Sequence, residues 1–386
     1  MAIVKILSSR DEEIDIVKEN PSINFISEAW TPWHAIGIDA LIMKLQDSGV
    51  VVNAAIIIAP HEYGGYVINE SNFKNNCSFF YKLSQNTEVT ITNKKDSLFS
   101  KIHAIYSFYK FVFCDLHETV KHVRFYYSSP LFTFPSIASG LYNLGKHVVF
   151  IKSEEGVGSY MGTLSEPYTR WSYVHSFSDF RSYFRYTLFG RYIVNLTHES
   201  YVARLFKNKS KGIIPNIDIY PYFSKVLKLY ENEFVGKINK DDIKRSIFIC
   251  TTAWERNKII DNEDLHVLKS VCDFLYSKGH KLYLKTHPRD FFFKLYRKEL
   301  HAEILDTLGL PIECLLEYSK PLAIISFSST VLVNAKMFWN IPVFCLSNLL
   351  NRAKIDQTYL KEIDSFKTVF GQFIGYVNEP DKISIL

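Results

Sequence analysis

At 386 residues the chain is long enough for two domains of ordinary size. A composition of 47% hydrophobic and 22% charged residues, with only 16 glycines and 13 prolines, excludes disordered, collagen-like and low-complexity readings. The net charge of +5 is too slight to argue for nucleic acid, and it is compatible with an acidic substrate or an anionic membrane surface.

The amino terminus, Met1-Ala-Ile-Val-Lys-Ile-Leu7, turns acidic at Asp11 and lacks the roughly 7–15-residue apolar core of a secretory leader. No stretch reaches the ~18 apolar residues of a membrane span, so the expectation is a cytoplasmic protein, soluble or peripheral on the inner membrane. Ile23–Ser27 reads as a strand, and Ala35–Leu45 as a helix with apolar residues at Ile36, Ala40, Leu41, Met43 and Leu45. Val50–Ala59 is a near-continuous Val/Ile-rich run, as expected of a strand buried on both faces. Val123–Tyr127 is a further strand, Pro135–Leu144 a helix stopped by Gly145, and His147–Lys152 the next strand.

Residues 231–246 are polar and charged, and the domain boundary is placed there. Beyond it Ser246–Cys250 reads as a strand, Asp264–Lys278 as an amphipathic helix ended by Gly279, and His280–Lys285 as a strand. Leu322–Ser326 is a strand, Val331–Trp339 a helix and Ile341–Cys345 a strand. The alternation predicts an α/β protein of two doubly wound, Rossmann-like domains. Residues 1–235 form an acceptor-side domain, 236–350 a nucleotide-sugar domain, and 351–386 a helical tail packing back on the first. Two such domains facing across a cleft is the GT-B arrangement, with ligands at the carboxyl ends of the strands.

Three motifs stand where strands end. Glu154-Glu155-Gly156 follows the strand 147–152. Adjacent carboxylates raise one another's pKa toward that of a general base, and Gly156 permits a tight turn, although an ordinary acidic loop explains the same residues. Lys285-Thr286-His287-Pro288-Arg289 ends the strand 280–285. Pro288 holds His287 extended, between the cations Lys285 and Arg289, in a setting that suits a phosphate or a plain basic turn. Ser326-Phe-Ser328-Ser329-Thr330 lies between a strand and a helix, where hydroxyls and free N–H groups make an anion site or simply cap the helix. Together they lay out a nucleotide-sugar phosphate held by the second domain and a base from the first activating an acceptor hydroxyl. The six cysteines, Cys77, Cys114, Cys250, Cys272, Cys314 and Cys345, include no C-x-x-C pair and read as buried thiols of a reducing compartment.

In this order the acidic-acidic-Gly, His-Pro and Ser-Ser-Thr motifs resemble those of the bacterial GT-B sialyltransferases. The closest resemblance is to the capsule polysialyltransferases and related lipooligosaccharide sialyltransferases. The resemblance implies an inverting transfer of sialic acid from CMP-sialic acid to a galactose- or sialic acid-terminated glycan. It makes Glu155, then Glu154, the general base and His287 the general acid, with Pro288 on the donor phosphate side. It gives Ser328 and Ser329 to the phosphate and Thr330 to the helix start. Glu313, with Glu317 as competitor, matches a carboxylate on the cytidine ribose, or is an ordinary exposed Glu. Thr251 and Thr252 reach the nucleotide by position, or cap a loop. Thr31, in Thr31-Pro-Trp-His34, borders the donor sugar or begins a helix. Gly156, Lys285 and Arg289 fall on the acceptor or sugar side.

No metal or other cofactor is expected. The chain has no Asp-x-Asp and no H-E-x-x-H, and His117-Glu118 with His122 has its second His one place too late for a shared helix face. A CMP donor leaves with less charge than a diphosphate, so His287, hydroxyls and a helix dipole suffice. The Arg- and aromatic-rich segment Phe180–Tyr192 reads as core helix, acceptor groove or interfacial membrane contact. Rival functions are a CDP-glycerol glycerophosphotransferase, a CMP-Kdo-dependent transferase, and a non-catalytic GT-B-like glycan-binding or assembly protein. The first usually carries an Asp shortly before its serines, absent from Ile325-Ser-Phe-Ser-Ser329, and the last has no use for a base.

Overall fold

The computed structural model describes residues 3–8, 12–59, 68–84, 122–127, 147–153, 199–202, 216–252, 259–287, 290 and 293–383. The predicted helix Pro135–Leu144, the acidic motif Glu154-Glu155-Gly156, Pro288, Arg289, Cys114, His117-Glu118 and the segment Phe180–Tyr192 lie outside the described residues. The described chain divides into two compact units, one running to Phe223 and the other starting at Ser224.

The first unit holds an eight-stranded sheet in the order β1-β4-β3-β2-β5-β6-β7-β8. Its strands are β1 (Ile3–Leu7), β2 (Phe25–Ala29), β3 (Ala54–Ile58), β4 (Ser78–Leu83), β5 (His122–Tyr127), β6 (His147–Ser153), β7 (Glu199–Val202) and β8 (Asn216–Asp218). Every pairing is parallel. All five residues of β3 are buried, as a strand covered on both faces requires. The strand begins later than its apolar run, and Val51 is 76% exposed. Likewise β2 starts at Phe25 because the Ile23 N–H closes a turn onto the Asn20 carbonyl at 3.2 Å. Helices α1 (Glu13–Glu19) and α2 (Pro32–Asp47) are described in this unit. Within α2, Asp39 is buried and accepts hydrogen bonds from the Lys74 N–H and the Asn75 amide. Burial pushes its carboxyl up to about 6 against those two donors.

The second unit opens with α3 (Tyr220–Lys228), which spans the division, and then α4 (Glu231–Phe234) and α5 (Lys240–Lys244). The last two occupy the polar stretch 231–246, anchored by the buried Phe234 and Ile243, with Asn239 capping α5. A six-stranded sheet follows: β9 (Ser246–Cys250), β10 (Lys281–Lys285), β11 (Glu303–Ile304), β12 (Ala323–Ser326), β13 (Val343–Cys345) and β14 (Gly375–Tyr376). Its order is β11-β10-β9-β12-β13-β14, all parallel. The intervening helices are α6 (Glu263–Ser277), α7 (Phe293–Glu299), α8 (Ile312–Tyr318), α9 (Thr330–Trp339) and α10 (Gln357–Phe370).

Both sheets are therefore doubly wound and parallel, as the β-α alternation predicts. Ile247, Ile249, Leu282, Leu284 and Ile325 of the second sheet share one core with Leu268 and Val271 of α6. Residues 351–383, read from sequence as a tail against the first domain, belong to this second core. Ile355, Leu360, Ile363 and Val377 enter it, and β14 pairs with β13. The apolar spacing that marks the tail as helical is what buries α10 here. The described cysteines Cys77, Cys250, Cys272, Cys314 and Cys345 are free thiols, and all but Cys77 are buried. No described helix is long and apolar enough to cross a membrane.

Candidate active site

The register of the second sheet sets Lys285, Cys250 and Ser326 in one row across β10, β9 and β12. These are the last residues of their strands, so the segments that follow leave the same edge side by side. From β9 the chain goes on to β10, whereas from β12 it goes to β13, on the opposite side. The winding reverses between β9 and β12, and a parallel sheet opens a ligand crevice outside its carboxyl ends at such a reversal. Thr251-Thr252 and Phe327-Ser328-Ser329 flank that point, with Thr286-His287 just past the end of the next strand, β10.

The row is fixed by its own side chains. The buried Ser326 Oγ donates to the Cys250 carbonyl at 2.7 Å, tying β12 to β9. Cys250 is enclosed, and burial pushes its thiol up to about 12, so it packs and does not react. Lys285 alternates with the buried Leu282 and Leu284 on the other face of β10. Burial lowers its ammonium pKa, while the carboxylates of Asp306 and Glu313 act in the opposite sense.

One residue beyond the row, Thr251 is 5% exposed. Its N–H donates to the Lys285 carbonyl at 3.0 Å, and its Oγ1 accepts the His287 N–H at 2.8 Å. The His287 carbonyl accepts the Asp290 N–H at 2.8 Å, so the main chain of His287 is held from both sides. The half-buried His287 thus sits at the end of β10 in a set position.

The hydroxyls divide by function. Ser329 is the N-cap of α9: its Oγ accepts the Val331 N–H at 3.4 Å and its carbonyl the Leu332 N–H at 3.2 Å. Thr330 opens the helix. Ser328 Oγ and Thr252 Oγ1 are both buried and, among the described residues, without a hydrogen-bond partner, one on each side of the reversal point. Unpaired buried hydroxyls are costly, so these two are candidate contacts for a polar ligand.

Glu313 is 7% exposed, in the first turn of α8. Its Oε1 accepts the amide of Asn334, a fully buried residue of α9, at 2.6 Å. One turn along, Glu317 accepts the Trp339 indole N–H at 2.8 Å. The two carboxylates therefore clasp α9, and Glu313 is the more enclosed. Asn334 is a residue the motif reading passes over. Its signal in sequence is a lone amide in the apolar run Val331-Leu-Val-Asn334-Ala335.

In the first unit Thr31 is the N-cap of α2 and accepts the His34 N–H at 3.3 Å, with Pro32 in the first helical turn. His34 Nδ1 in turn accepts the Trp30 N–H at 3.1 Å, and Trp33 packs on Phe223 with ring centroids 4.8 Å apart. The polar atoms of this loop are thus engaged in building the helix start. The strand β6 ends at Ser153, immediately before the acidic motif. Among the described residues no cluster of three or more His, Cys, Asp or Glu is placed to hold a metal ion.

None of the curated protein sequences compared with the chain is similar to it. Solved structures with a similar trace include the α/β-galactoside α-2,3-sialyltransferase of Photobacterium phosphoreum. It is 12% identical, with 93% of this chain and 98% of that one covered and a TM-score of 0.47. A sialyltransferase from Photobacterium damsela is 12% identical, with 92% and 81% covered and a TM-score of 0.48. The S. aureus MnaA–UDP co-structure is 14% identical, with 94% and 92% covered and a TM-score of 0.46. These likenesses are about equal, and they do not choose between chemistries. The family model described as alpha-2,8-polysialyltransferase (POLYST), by contrast, matches residues 25–348, a span that runs from the start of β2 through β13 and contains all three motifs. On that match the chain belongs to the alpha-2,8-polysialyltransferase family and is a sialyltransferase, a glycosyltransferase acting with a nucleotide-sugar donor and a glycan acceptor.

Proposed function

We propose that the protein transfers sialic acid from CMP-sialic acid to a sialic acid-terminated glycan, with inversion and without metal or other cofactor. The observation that carries this reading is the pair of buried, unpartnered hydroxyls, Ser328 and Thr252, at the reversal point of the second sheet, one strand from His287. Two hydroxyl donors and an imidazole suit the single phosphate that joins cytidine to the sugar, and Glu313 offers a carboxylate to ribose hydroxyls. In the reaction the bond from the sialyl anomeric carbon to the CMP phosphate oxygen breaks, and its electron pair goes to CMP. His287 stabilises or protonates that oxygen. The acceptor oxygen attacks the opposite face of the sialyl ring, which carries positive charge in the transition state, and Glu155 takes the acceptor's proton. The family name favours an α-2,8 link to a sialic acid acceptor over capping of galactose. It adds nothing for a CDP-glycerol transferase or a non-catalytic role.

The test is CMP release by purified protein in EDTA, with CMP-sialic acid and a panel of sialic acid- and galactose-terminated acceptors. Release that depends on a sialylated acceptor is the expected result. A requirement for added Mg²⁺ overturns the metal-free mechanism. Consumption of CMP-Kdo or CDP-glycerol instead moves the donor to a rival.

The two neighbouring serines have separable consequences. Ser329→Ala removes the cap of α9 and is expected to lower stability by about 1 kcal/mol with CMP affinity kept. Ser328→Ala removes a hydroxyl without a protein partner, so the melting temperature holds. CMP binding weakens by about 10- to 100-fold, the worth of a hydrogen bond to a charged group. Thermal melts and titration calorimetry with CMP on both variants read the two effects, and equal CMP affinities would remove Ser328 from the phosphate site.

A further inference from the structure

A side-chain hydrogen bond, from the His287 N–H to Thr251 Oγ1 at 2.8 Å, links the end of β9 to the segment after β10. Thr251 is almost fully enclosed, and its own N–H continues the β9–β10 ladder one step past Cys250, onto the Lys285 carbonyl at 3.0 Å. It is therefore fixed by the sheet, and its hydroxyl reaches across to the residue two places beyond β10. The adjacent Thr252 has the opposite condition, a buried hydroxyl with no hydrogen-bond partner among the described residues. Neighbouring threonines at one strand end have been given different work: one is committed to the protein, the other is left for a ligand.

We infer that Thr251 is a positioning residue for His287. Its hydroxyl oxygen holds the His287 main chain at the end of β10, and so sets where the imidazole meets the leaving phosphate. This rests on the reading of His287 as the general acid, and it changes the expectation that Thr251 touches the nucleotide. The physical reason for a side chain here is that β10 stops at Lys285, so the His287 N–H has passed beyond the ladder. Without Thr251 that N–H loses this bond, and the loop after β10 loses its tie to the end of β9. Small errors in the placement of a proton donor are expensive in rate and cheap in ground-state affinity.

The test compares Thr251→Val, which keeps the shape and loses the acceptor, with Thr251→Ser, which keeps the acceptor. Each is checked first by thermal melting. Thr251→Val is expected to lower kcat for CMP release by about 10- to 100-fold, while KM for CMP-sialic acid and CMP affinity stay within about threefold. Thr251→Ser is expected to restore kcat to within about threefold of the parent. A readout independent of turnover is the imidazole C–H resonance of His287, assigned by its loss in His287→Ala. It shifts in Thr251→Val and returns in Thr251→Ser. Loss of CMP affinity in parallel with kcat in Thr251→Val would make Thr251 a nucleotide contact. An unmoved His287 resonance would overturn the inference even where the parent protein proves inactive with CMP-sialic acid. A protein that releases no CMP while the resonance behaves as expected loses the proposed function and keeps the Thr251–His287 link.

Discussion

Replacing His287 with alanine is expected to lower acceptor-dependent CMP release by about 10²–10⁴, the usual worth of a placed general acid. The reason lies in the leaving group. In the proposed metal-free mechanism a CMP phosphate departing from the anomeric carbon gains negative charge as the bond opens, and that charge falls to the donors the protein supplies. In that proposal Ser328 and Thr252 offer hydroxyls to the charge, and His287 is the group of the three with a proton transferable near neutral pH. The variant is expected to retain CMP binding to within about tenfold, because the hydroxyls and Glu313 remain. The measurement is kcat and KM for CMP release alongside CMP calorimetry. Turnover of His287→Ala within about threefold of the parent would remove His287 from the chemistry, and the family membership would then have to be served by another donor. His287→Gln adds a check, since it restores a hydrogen-bond donor that does not give up its proton at neutral pH. Partial recovery measures the share of catalysis owed to stabilising the phosphate rather than protonating it.

The second half of the chain was the more legible in sequence, and the reason is visible in its strands. Ser246–Cys250 and His280–Lys285 stand out because a central parallel strand needs apolar residues on one or both faces, and β9 is buried at every position. Motifs that directly follow such strands inherit their placement, which is why Thr251, His287 and Ser328 follow strand ends that lie in one row. The edge strands gave no comparable signal. β11 is two exposed residues, Glu303 and Ile304, and β1 leaves Val4 60% exposed, so neither has a periodicity to read. What each polar side chain does at the site was not legible either. Thr251 to His287 and Glu313 to Asn334 are contacts made by the folding of separate β-α units onto one another, and local spacing carries no trace of them. Ser329 shows the same limit from the other side: a hydroxyl at a helix start suits both capping and anion binding, and only its bond to the Val331 N–H assigns it to the cap.

Glu155→Gln is expected to cut transfer by about 10²–10⁴ while leaving CMP affinity unchanged, because a base acts on the acceptor and not on the nucleotide. The motif follows β6, whose pairing with β5 runs in continuous register from His147 to Lys152, and β5 in turn pairs with β2 next to the reversal point of the first sheet. The carboxyl end of β6 is thus one strand from the place where that sheet opens its own crevice. Of two adjacent carboxylates only one takes the proton of the acceptor hydroxyl, and Glu154→Gln is expected to stay within about fivefold of the parent. The base has a signature the acid lacks. Azide attacks without a proton to lose, so it is expected to restore CMP release to Glu155→Gln and not to His287→Ala. Loss of activity in Glu154→Gln with Glu155→Gln unaffected would exchange their roles. Full activity in both single variants and in the double variant would leave the acceptor hydroxyl without a base from this motif, and the mechanism proposed here would fail at its first proton transfer.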